Sequence, residues 1–211
     1  EAYEELQTLS KAQPDNVQIF IRMANIAFMM ENYGAMATAC EKAILLDSEN
    51  ATAHYLYAEA CKGQGDDVNT IAMATKAISL DDKQGNAYLL RGETYLRTQQ
   101  LTEAEADADW LLEHTEDNED VLLLKARIER AANRNDEAIE YFTKAIDANP
   151  FSYTAFKERS EMYSLIGNVV KAKEDAERAE ELMPTDGKEN AEENIEKQLN
   201  DKYKQMNPYG F

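Results

Sequence analysis

Small and bulky residues return along this chain at a fixed spacing of thirty-four. Pro14, Pro150 and Pro184 are separated by 136 and 34 residues, both multiples of that spacing. The frame they set divides the chain into five gapless units, 17–50, 51–84, 85–118, 119–152 and 153–186. The eighth position of each unit is small, reading Ala24, Ala58, Gly92, Ala126 and Ser160. The twenty-seventh reads Ala43, Ala77, Leu111, Ala145 and Ala179, and the twentieth Met36, Thr70, Ala104, Ala138 and Ala172. The fourth is bulky throughout: Phe20, His54, Tyr88, Leu122 and Phe156.

Such a pattern predicts helices in pairs. Small side chains at positions eight, twenty and twenty-seven let two helices approach closely, and large ones at positions four and eleven (Tyr95, Tyr163) fill the space between neighbours. Turn signals fall midway, at Gly65-Asp66, Asn133-Arg134-Asn135 and Gly167-Asn168. Each unit therefore reads as helix A, turn, helix B. Four prolines, eight glycines and the absence of Val/Ile/Thr runs agree with an all-helical protein.

This pattern resembles the tetratricopeptide repeat family, whose 34-residue helix–turn–helix unit has the same small and large positions. The resemblance covers 17–186 and is best over 119–152, where Ala126, Ala138, Phe142, Ala145 and Pro150 are in phase. It implies an all-α fold, a right-handed α-α superhelix (solenoid). Leu111 and Met36 depart from the small-residue pattern, which predicts wider or rotated helix pairs in those two units.

Residues 1–16 fit the frame as the second helix of a preceding repeat, predicting a helix around 2–12 with an uncovered apolar face. After Pro184 the repeat stops. Ala191, Ile195, Leu199 and Tyr203 form one apolar stripe amid Glu and Lys, so 187–211 reads as a C-terminal capping helix and a tail ending in Tyr209 and Phe211.

The composition narrows the partners. Forty-one acids against 22 bases leave a net charge of −19, a poor match for nucleic acid because each phosphate would meet a repulsive field. No run approaches eighteen apolar residues, which excludes a membrane span within this segment. Whether the protein is cytoplasmic or exported stays open, since a signal peptide would lie upstream of residue 1.

Candidate chemistry is sparse. His54 occupies a packing position, and His114 lies near a helix end, where a cation is favoured. No phosphate loop, HExxH or GxSxG occurs. Glu116-Asp117-Asn118-Glu119-Asp120 lacks the glycine and glutamate of a calcium loop and reads as a helix-starting loop. Cys40 and Cys61 fall at the interface of consecutive units, as two buried thiols or as a pair that oxidation joins. Trp110 is either solvent-facing on helix B or tucked into the irregular third unit. The residues point to no enzyme, no cofactor and no metal.

In tetratricopeptide arrays the A helices line a concave face, and the resemblance assigns that face to positions 2, 5, 6, 9, 12 and 13. Position five then reads Ile21, Tyr55, Leu89, Leu123 and Lys157; position six reads Arg22, Leu56, Leu90, Leu124 and Glu158. Asn25 and Phe28 join them at positions nine and twelve of the first unit. These positions predict an apolar band across four units, with Arg97, Arg127 and Arg130 beside it as carboxylate contacts. All thirty concave positions carry six bases and five acids, +1 in total, which leaves −20 for the rest of the chain. Leu90 and Leu124 are alternatively interior, if charged position seven (Arg91, Lys125, Arg159) turns outward. The tail is another candidate occupant of the groove. Some family members clamp acidic chaperone tails; Asn25 matches one such position, but Ile21, Leu56 and Leu90 replace the polar residues the clamp needs.

The expected function is therefore a non-enzymatic scaffold that binds a peptide or protein segment in its concave groove. The alternative is a structural array that self-associates or stacks on upstream repeats, through the open N-terminal repeat or the C-terminal tail.

Overall fold

The computed structural model describes residues 2–115 and 118–183. Among them lie eleven α-helices and no strand. They are α1 (Ala2–Ala12), α2 (Val17–Met29), α3 (Tyr33–Leu46), α4 (Ala51–Gly63), α5 (Asp67–Leu80), α6 (Gly85–Arg97), α7 (Leu101–His114), α8 (Glu119–Ala131), α9 (Asn135–Ala148), α10 (Tyr153–Leu165) and α11 (Val169–Leu182). A helices of 13 residues alternate with B helices of 14, and each kind restarts every thirty-four residues from α2 onward. The capping helix expected over 187–211, its tail, and Glu116 and Asp117 lie outside the described residues.

Local chemistry sets the helix ends. Asn16, Asn32, Asn50, Asp66, Asn118, Ser152 and Asn168 each accept a backbone N–H at an N-terminus. Gln84 and Gln100, the caps of the third repeat, make no such bond. Each A helix ends in the same double reversal, with a residue at positive φ in position fifteen: Glu31 (53°), Gly65 (76°), Gln99 (62°), Asn133 (60°) and Gly167 (78°). The next N–H then reaches five residues back, as in Asn32 to Ala27 (2.9 Å) and Gln100 to Tyr95 (2.8 Å). This is the Schellman arrangement, which satisfies carbonyls that the helix end would otherwise orphan.

The chain forms two compact units, Glu1–Ala148 and Asn149–Phe211. In the first, each helix packs on the next, and each A helix also touches the following A helix: α2 on α4, α4 on α6, α6 on α8. In the second, α10 packs on α11. The small positions are sealed: Ala24, Ala58, Ala126, Thr70, Ala104 and Ala138 expose no surface. A Cβ on Gly92 would come within 3.0 Å of Leu124 Cδ2 and 3.3 Å of the Asp107 Cβ. Leu111, the bulky exception at position twenty-seven, is buried with its Cδ2 3.6 Å from the point a Gly85 Cβ would occupy.

Polar side chains tie successive repeats together on a second register. In α4, α6 and α8, position seven reaches position twenty-five of the preceding B helix: Tyr57 donates to Glu41 (3.1 Å), Arg91 to Thr75 (3.0 Å) and Lys125 to Asp109 (2.6 Å). Lys125 also pairs with Glu105 and Glu129, and Arg134 joins the same two carboxylates. These acids hold the Lys125 ammonium above its ordinary range despite burial, which opposes the charge.

Trp110 is half-buried on α7, stacked on Tyr88 with centroids 3.8 Å apart, and His114 stacks on its other side at 4.3 Å. It is therefore tucked into the third repeat. His54 is buried and donates from Nε2 to the Ser48 carbonyl (3.0 Å), a packing role.

Candidate functional site

The expected ladder of solvent-facing apolar residues is not what the A helices present. At position five, Ile21 and Leu123 are buried, leaving Tyr55 and Leu89 half-exposed. At position six, Leu56, Leu90 and Leu124 are all buried. The physical reason lies in the small eighth position. Leu90 packs among Ala58, Ala74, Tyr55 and Met73 of the second repeat, and Leu124 fills the space over Gly92. Position six is thus a wedge into the preceding helix pair, and position seven spans to the B helices instead.

What remains on the A-helix face is a hollow of about 320 Å³ formed by α4, α6 and α8. Its walls are Leu96, Leu124 and Thr94, and its rim is Lys62, Glu93, Arg97 and Arg127. These fall at positions six, nine, ten, twelve and thirteen of consecutive repeats, brought together because each A helix lies on the next. Three cations against one acid make this lining locally basic on a strongly acidic chain. The rim is internally braced: Lys62 Nζ lies 2.7 Å from Glu93, and Arg97 Nη2 lies 2.5 Å from Asp67. Sequence reasoning missed Asp67, because nothing in the period marks a B-helix residue as a neighbour of this face. Arg130, on α8, is half-exposed and does not line the hollow.

Further along, Tyr55 donates its hydroxyl to Glu59 (2.9 Å), and burial with that carboxylate pushes the phenol above its usual range. Asn25 and Phe28 are exposed on α2, and Asn25 lines a separate hollow against α1. Cys40 and Cys61 are free and buried. Burial pushes the Cys40 thiol up to about 12, with Cys61 and Glu41 adding to it. No cluster of His, Cys, Asp or Glu suited to a metal ion, and no helix long and apolar enough to cross a membrane, occurs among the described residues.

Residues 89–153 and 123–183 each match the sequence model of the tetratricopeptide repeat. Residues 89–183 belong to the tetratricopeptide repeat family. No curated protein matches it by sequence. Solved tetratricopeptide structures share its fold at low identity. YrrB, described as a protein of this family with an unusual peptide-binding site, is 20% identical, with a TM-score of 0.68 over 87% of this chain and 95% of its own. A tetratricopeptide repeat protein from Parabacteroides merdae is 20% identical, with a TM-score of 0.73 over 84% of this chain and 70% of its own. PilW, a type IV pilus biogenesis factor, is 18% identical, with a TM-score of 0.75 over 82% of each. A tetratricopeptide fold of this kind suggests a scaffold for protein–protein interaction.

Proposed function

We propose that this tetratricopeptide repeat protein is a non-enzymatic scaffold that holds an extended peptide segment on the A-helix face of repeats two to four. The observation that carries the reading is the hollow over Leu124 and Leu96, ringed by Lys62, Arg97 and Arg127. An apolar floor accepts an aliphatic side chain, and flanking cations favour a segment with a neighbouring carboxylate. Tyr55 and Leu89 extend the apolar surface along the same helices. YrrB, which shares the fold, is itself described as peptide-binding.

Peptide-display selection on the immobilised protein tests this, followed by calorimetry of an enriched peptide against wild type, Leu89→Arg and Arg127→Glu. The reading expects enriched peptides that pair an aliphatic residue with an acid and lose at least about tenfold in affinity to either variant, the scale of one anchor. Failure of any peptide to enrich, or equal binding to all three proteins, contradicts it.

A further inference from the structure

Charges on the A-helix face of repeats two to four follow a pattern. Position nine of consecutive A helices reads Glu59, Glu93 and Arg127. Glu93 and Arg127 both line the hollow, so an acid stands inside a lining whose other charged members are Lys62 and Arg97. Glu59 lies one helical turn before Lys62 on α4, where residues three apart share a face. The ion pair from Lys62 to Glu93, at 2.7 Å, brings that face of α4 alongside α6. On this side of the hollow two acids thus stand against one lysine. On the other lie two arginines, Arg97, paired with Asp67, and Arg127.

The two acids also keep bonding capacity. Glu93 takes the Lys62 ammonium on Oε2, and Glu59 takes the Tyr55 hydroxyl on Oε1 at 2.9 Å. Among the described residues, no hydrogen bond reaches Glu93 Oε1 or Glu59 Oε2. Both residues are half-exposed. A purely acidic segment laid on this face sets its carboxylates against Glu59 and Glu93, and a purely basic one meets the arginines. Building on the peptide-binding reading, we propose that the segment held here carries both signs. An aliphatic residue sits over Leu96 and Leu124, and an acid pairs with Arg97 and Arg127. A lysine or arginine lies between Glu59 and Glu93 and donates to their two remaining oxygens. The base site spans α4 and α6 and the acid site α6 and α8, so they lie one helix spacing apart, about 9 Å. An extended chain rises about 3.3 Å per residue, which separates base and acid by about three residues. Glu59 and Glu93 thereby select against the wholly acidic segments that the cations alone would take.

A random dodecapeptide library, displayed on phage and selected on the intact 211-residue protein, supplies the probes. Enriched peptides should carry lysine or arginine within about two to four residues of an acid, with an aliphatic residue beside them. One such peptide, resynthesised with that base changed to glutamine, should bind about tenfold more weakly by fluorescence anisotropy. Glu59→Lys in the protein should weaken the original peptide by at least as much. The same peptide with its base changed to glutamate should regain that loss on the Glu59→Lys protein, which shows both a folded variant and a direct charge pair. Enrichment of acidic peptides without a base overturns this proposal and leaves the groove standing. So does indifference to the base and to Glu59→Lys where Arg127→Glu still weakens binding. Enrichment of no peptide overturns both.

Discussion

Arg91 on α6 grips Asp107 on α7 with two parallel bonds, Nε to Oδ2 at 2.9 Å and Nη2 to Oδ1 at 2.6 Å. Arg159 and Asp175 repeat the grip in the last repeat, at 2.7 and 2.8 Å. Burial pushes the Asp107 carboxyl above its ordinary range against the pull of Arg91, so at this carboxyl desolvation outweighs the attraction. Removing one partner, as in Asp107→Ala, should therefore cost about 3 kcal/mol by leaving a buried charge alone. Replacing both with leucine should cost under about 1 kcal/mol. Urea denaturation of the two variants checks this; equal losses would show that the pair, not its isolation, supplies the stability.

Position fifteen holds non-glycine residues at positive φ in three repeats. Glu31→Gly and Gln99→Gly should each stabilise the fold by about 0.5–1 kcal/mol, because glycine adopts that backbone without a Cβ clash. Gly65→Ala should cost about 1 kcal/mol or more, since nothing else crowds that site and only its φ opposes a side chain. Thermal melts of the three variants decide it.

The third repeat lacks both side-chain caps, and Gln84 Oε1 is buried without a partner. Shortening the side chain in Gln84→Asn brings its oxygen within reach of the helix N–H groups, as in Asn50 and Asn16. That change and Gln100→Asp should each add about 0.5–1 kcal/mol, seen as a higher urea midpoint with an unchanged slope.

Cys40 carries a pH dependence of definite sign. Its folded pKa, about 12, lies above the ordinary value of 9.0, so folding favours the neutral thiol. That contribution is fully present below pH 9 and is lost as pH rises through 12. Cys40→Ala should thus lose less stability than wild type between those limits. Near neutral pH, native Cys40 should react with iodoacetamide only as fast as the protein opens.

How much of this was legible in the sequence follows from what a period can encode. Residue size at positions eight, twenty and twenty-seven placed the helix pairs, because close approach tolerates only small side chains. Gly65, Asn133 and Gly167 announced their turns, whereas Glu31 and Gln99 gave no sign of a left-handed backbone. For Leu90 and Leu124 the sequence left ladder and interior both open, because spacing does not fix the rotation of a helix about its axis; the structure buries both. That rotation depends on Leu124 settling over Gly92, a contact between residues of different repeats. Arg97 looked available in the sequence, and only folding brings Asp67 to it. The hollow itself was foreshadowed by positions six, nine, twelve and thirteen, which do converge there.

The proposed binding surface is the A-helix face of α4, α6 and α8. Backbone chemical-shift mapping of the labelled protein, titrated with a display-selected peptide, tests it most directly. Perturbations should concentrate at Lys62, Glu93, Leu96, Arg97 and Arg127 on α4, α6 and α8. Perturbations gathered on the B helices α5, α7 and α9, with those five residues unmoved, would contradict it.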